Sequence, residues 1–73
     1  MTDVVDSDEL LRRIQRARAR AREELRTLRS RTEDLGRTDP DAARDARVRG
    51  LAYEAVLDVL DEIVAPGHHP DAT

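Results

Sequence analysis

Residues 51–64, LAYEAVLDVLDEIV, decide how this chain folds. They hold no glycine and no proline, and their apolar run is broken only by Glu54, Asp58, Asp61 and Glu62. At 3.6 residues per turn, Tyr53, Leu57, Leu60, Val64, Val56, Ile63, Ala52, Val59 and Ala55 spread over roughly 200° of a helix surface. A helix that packs against one neighbour needs a stripe only about half as wide. The stretch reads as a helix with more apolar surface than a single neighbour covers, the excess going to a second copy or to another protein.

Upstream, the same helix opens at Asp39-Pro40, a capping side chain followed by proline at the first helical position. It runs to about residue 65 and stops at Pro66-Gly67. A seam with alternating spacings of three and four is read through Ala42, Ala46, Arg49, Tyr53, Val56, Leu60 and Ile63. Its first half is rich in alanine. Gly50 costs about 1 kcal/mol against alanine in a helix interior. A continuous helix, with Gly50 allowing close approach, is the favoured reading over a bend.

The other helix spans about residues 7–35. Asp6 or Ser7 caps it, Asp6 and Glu9 have capping-box spacing, and Asp8 and Glu9 suit the positive end of the helix dipole. Gly36 is expected to close it in the left-handed conformation. Val4, Leu11, Arg18, Leu25 and Thr32 form one heptad column, and Ile14, Ala21, Leu28 and Leu35 the other. With Leu10 and Ala17 the arc is roughly 120° wide, much narrower than that of the second helix. Arg18 is expected to pass its stem along the seam and turn its guanidinium outward. Asp8 with Arg12, Glu9 with Arg13 and Arg29 with Glu33 are spaced for helical ion pairs.

The four-residue loop 36–39 implies an antiparallel pair. The expected fold is all-α: a coiled-coil-like two-helix hairpin over residues 7–65, dimerising into a four-helix bundle. Residues 1–6 are expected to be flexible and 66–73 disordered.

Charge is distributed unevenly. All thirteen basic residues are arginine, and nine of them fall between Arg12 and Arg31 against only Glu23 and Glu24. In an antiparallel hairpin turning at 37–38, Arg13, Arg16 and Arg20 are expected beside Glu62, Asp58 and Glu54, where exposed pairs contribute about 0–1 kcal/mol each. Arg22, Arg26 and Arg29 lie on the other flank and are read as a charged contact face.

Chemistry is hard to find in this sequence. There is no cysteine, hence no disulfide and no thiolate site. No phosphate-binding glycine motif or nucleophile elbow is present. His68-His69 form too small a ligand set for a metal, and Tyr53 reads as a seam residue with its hydroxyl at the edge. No catalytic, cofactor-binding or metal-binding residue is assigned. No stretch of about 20 apolar residues or secretory leader is seen, so a soluble cytoplasmic protein is expected.

The expected function is a small non-enzymatic protein–protein interaction module: a dimeric adaptor, regulator or assembly subunit. Its partner interface is placed at Leu51, Tyr53, Val56, Leu57, Leu60, Ile63 and Val64, flanked by Arg22, Arg26 and Arg29. The alternative is a nucleic-acid-binding regulator using the arginine face, weakened by the net charge of −3 and a single aromatic residue. A remoter alternative is a small all-helical enzyme with an anion pocket lined by Arg18 and Arg49.

Overall fold

The computed structural model describes residues 6–67; Val4, His68, His69 and the rest of residues 1–5 and 68–73 lie outside the described range. Helix α1 covers Ser7–Leu35 and helix α2 covers Pro40–Val64, and all regular structure among the described residues is helical. The two helices pack on each other as an antiparallel hairpin. By the rise of an α-helix, α1 is about 43 Å long and α2 about 37 Å.

Local chemistry sets the helix starts. The Asp6 carboxylate accepts the Glu9 backbone N–H at 2.8 Å, satisfying one of the free donors of the first turn. Only half of the capping box forms, because Glu9 turns its own carboxylate toward Arg12 and Arg13. Asp39 caps α2 by accepting from the Ala42 N–H at 3.1 Å, ahead of Pro40. The end of α1 corrects the expectation for Gly36. Its φ of −54° and ψ of −34° keep it right-handed, with its N–H donating to the Glu33 carbonyl at 3.3 Å. The turn closes three residues later, where the Asp39 N–H donates to the Leu35 carbonyl at 2.8 Å. This continued turn uses a terminal carbonyl of α1 without a left-handed residue.

The core is thin. Ala21, Leu25, Leu28, Ala43, Ala46 and Leu57 are its buried apolar residues. Ala21, Leu25 and Leu57 form a cluster, with Tyr53 packed against it. Each well-buried leucine contributes about 1.5–3 kcal/mol, so three of them leave a hairpin of this length near the margin of stability. In α1, Ile14, Arg18, Thr32 and Leu35 are half-buried along the heptad line. The Thr32 hydroxyl donates to the Leu28 carbonyl at 2.8 Å, so its polarity is satisfied on the seam. Leu10 and Leu11 remain exposed. With Leu25 against Gly50 and Ala21 near Leu57, they stand at the level where α2 is already ending.

The seam of α2 differs from the expected one. The residues turned toward α1 are Ala43, Ala46, Gly50, Tyr53, Leu57, Leu60 and Val64, whereas Arg49, Val56 and Ile63 are exposed. The helix is rotated by about 60° from the expectation. The reason is steric. Leu25 and Leu28 are large and need small residues opposite them, which Ala43, Ala46 and Gly50 provide. A Cβ built on Gly50 would lie 3.5 Å from Leu25 Cδ1, so the leucine sits directly over the glycine. α2 passes through Gly50 without interruption.

Candidate functional site

The 60° rotation has a direct consequence. With its small residues and one edge of its apolar arc on α1, α2 leaves the other edge open. Val48 (59% exposed), Leu51 (58%), Val56 (47%), Val59 (61%) and Ile63 (53%) stand in solvent. Ala52 and Ala55 are exposed between them. On the helical wheel these seven residues share an arc of roughly 140°, centred about 150° from the direction of α1. Exposed single valines are ordinary on a protein surface, whereas these residues form one row about four turns long.

The residues expected at a partner interface divide between two roles. Leu51, Val56 and Ile63 belong to the open face. Leu57 is buried and Tyr53 half-buried in the hairpin's own core, and Leu60 and Val64 are half-buried toward α1. Val48 lies outside the apolar run 51–64. It precedes Val59 by eleven residues, three helical turns, which returns it to the same face.

The ion pairs correct the expected charge arrangement. Arg13 and Arg16 do not reach Asp58 or Glu62; both lie near Glu9, at 3.0 and 3.8 Å. Arg20 makes no ion pair among the described residues. Arg18 Nε instead lies 3.3 Å from Asp61 Oδ1, with Arg22 at 3.7 Å from the same oxygen. Arg29 reaches Glu54 at 3.1 Å rather than Glu33, and Arg12 pairs with Glu9 rather than Asp8. Arg26 pairs with Glu23 at 2.6 Å. Antiparallel facing helices bring like flanks of their seams together, and with the true α2 seam Glu54 and Asp61 fall on the flank of Arg18, Arg22 and Arg29.

Arg18 does not turn away to water. Its side chain is only 23% exposed. Asp61 Oδ1 is shielded from solvent and lacks an aligned hydrogen bond, so its attraction to the two arginines is Coulombic. Arg22, Arg26 and Arg29 each lie near a carboxylate of the hairpin, yet all three side chains remain exposed.

Two open grooves flank the helix pair. One, of about 320 Å³, runs past Leu25, Arg29, Gly50, Leu51 and Glu54. The other, of about 260 Å³, is lined by Leu28, Arg31, Leu35, Asp45 and Arg49. Arg49 lies on this second flank while Arg18 is held by Asp61 on the other, so the two arginines do not share a pocket. Among the described residues no three His, Asp or Glu side chains gather as a metal site. No described helix is long and apolar enough to cross a membrane.

The class that this geometry defines is an antiparallel helical hairpin with one unpartnered apolar face. Comparison of the chain with protein-family models, with curated proteins and with solved structures finds no match.

Proposed function

We propose that this chain is a small non-catalytic protein–protein interaction module, an adaptor, regulator or assembly subunit, whose contact surface is the outward face of α2. The observation that carries the reading is the row Val48, Leu51, Val56, Val59 and Ile63, exposed on a helix whose opposite side already packs on α1. The thin core supports it, because a hairpin near the margin gains stability when a second apolar surface is covered. A second hairpin seated on this face would give a dimeric four-helix assembly with the α2 helices at its centre. Nucleic-acid binding is disfavoured by the net charge of −3 and the single aromatic residue.

The test compares wild type with Val59→Asp, a change on the open face that leaves the hairpin core intact. Sedimentation velocity reports self-association, and affinity capture from the native host reports other partners. The wild type is expected to associate and Val59→Asp to remain alone, still helical by circular dichroism but with a lower Tm. If neither a second copy nor any captured protein depends on Val59, the proposal fails. Steeply salt-sensitive binding to a nucleic-acid duplex, unaffected by Val59→Asp, would favour the arginine-face alternative.

A further inference from the structure

Resting on that reading, we infer that the occupant of the outward α2 face is a second copy of this chain, packed antiparallel about a two-fold axis that passes α2 beside Tyr53 and Glu54. Two features of the face, together with the overlap of the two helices, place the axis at nearly the same level.

The first is the apolar pattern. In an antiparallel two-fold pair, residues at equal distances on either side of the axis meet. Val48 and Val59, nearest the middle of the face, are equidistant from the level between residues 53 and 54, and so are Ala52 and Ala55. Valine would meet valine about 8 Å on either side of the axis. The two alanines would flank the axis, where small side chains allow the closest approach.

The second is charge. One flank of the open face carries Arg44 and Arg47 in its N-terminal half and Asp58 and Glu62 in its C-terminal half. None of the four makes an ion pair among the described residues, although Glu62 accepts a hydrogen bond from the Gly67 N–H at 3.1 Å. Antiparallel helices bring like flanks together, so this flank would meet its own copy reversed. Arg47 would then face Asp58 of the second molecule, and Arg44 would face Glu62. The midpoints of these pairs fall at residues 52–53. A parallel pair would set the charged flank against the Val56 and Ile63 edge and match none of these charges. Overlap of the two helices is greatest at nearly the same level: α2 spans Pro40–Val64, so its own midpoint is residue 52. The three midpoints agree within about 2 Å along the helix.

A self-complementary surface of this kind is what an isologous dimer requires, whereas nothing would force such symmetry on a face meant for an unrelated partner. Because the open face is turned about 150° from α1, the dimer would be a flattened four-helix layer in the order α1, α2, α2, α1.

The chain has no cysteine, so cross-linking reads the arrangement without background. Facing Cα atoms on helices packed about 8–10 Å apart come within about 4–6 Å, inside disulfide reach. Full-length Val48→Cys and Val59→Cys are oxidised separately and as a mixture. The expected result is a disulfide dimer in the mixture and little in either variant alone. Efficient cross-linking of each variant with itself would show a parallel pair and overturn the inference. So would the absence of any cross-link while wild type sediments as a dimer.

Monomeric wild type would also overturn it, and would leave the interaction reading to stand or fall on the Val59-dependent capture above. As a second arm, Arg44→Glu/Arg47→Glu and Asp58→Arg/Glu62→Arg should each weaken self-association by about tenfold, and a one-to-one mixture should recover it. No recovery on mixing would contradict the proposed register.

Discussion

Replacing Gly50 by alanine tests the account of the helix interface at its closest point. Glycine in a helix interior is about 1 kcal/mol less favourable than alanine, chiefly because it has more freedom to lose on folding. Gly50 is buried inside the continuous α2, so alanine would recover this difference if the space exists. The space does exist: a Cβ there would meet only Leu25 Cδ1, at 3.5 Å, an ordinary van der Waals contact. Gly50→Ala is therefore expected to stabilise the fold by about 0.5–1 kcal/mol, raising Tm by about 2–8 °C for a domain of this size. Gly50→Leu should behave oppositely. Its branched end would collide with Leu25 and push α2 away, at a cost of about 1–3 kcal/mol. Thermal melts followed by far-ultraviolet circular dichroism, all at one protein concentration, measure both, since association would make Tm depend on concentration. A lower Tm for Gly50→Ala would refute the reasoning. It would mean that Leu25 cannot yield and that the helices approach more closely than the 3.5 Å clearance allows.

Other outcomes follow from the same packing. Leu57→Ala removes a leucine from the central cluster and should cost about 2–5 kcal/mol in a denaturant melt, enough to unfold a thin-cored hairpin. Gly36→Ala should be neutral or stabilising by up to about 1 kcal/mol, because Gly36 is right-handed; a left-handed cap would instead lose stability, and a melt distinguishes the two. Arg29→Ala and Glu54→Gln, combined in a double-mutant cycle, should show a coupling of about 0–1 kcal/mol that fades with salt, since both side chains are well exposed.

Much of the hairpin was legible along the chain. The signals for its helices are local: a carboxylate at Asp6 and at Asp39 to cap free N–H groups, Pro40 at a first helical position, and a heptad in which Ile14, Ala21, Leu25 and Leu28 repeat on one face. A turn too short for a parallel return fixed the antiparallel arrangement of α1 and α2. These features act within a few residues of where they are written, so reading them needs no knowledge of what lies across the interface.

The rotation of α2 was not legible in the same way. Nine apolar residues spread over roughly 200° offer several seams of nearly equal hydrophobicity, and the wheel centres the contact on their middle. Hydrophobicity ignores shape. Leu25 and Leu28 fit over Ala43, Ala46 and Gly50, a set that the wheel ranks low because alanine and glycine bury little area. Once that fit turned α2, the ion pairs moved with it. Arg18, Arg22 and Arg29 found Asp61 and Glu54, while Arg13 and Arg16 were left with Glu9.

The sequence alone established two helices, their reversal, and an apolar surplus on the second. Each follows from local backbone chemistry and a periodic count. Which side of α2 would be spent on α1, and so which row would remain open, belonged to the packing of two surfaces whose pieces lie far apart along the chain. Complementarity of large against small side chains exists only between surfaces. That is why Val48 joined the open face, and Leu57 left it, only when the helices came together.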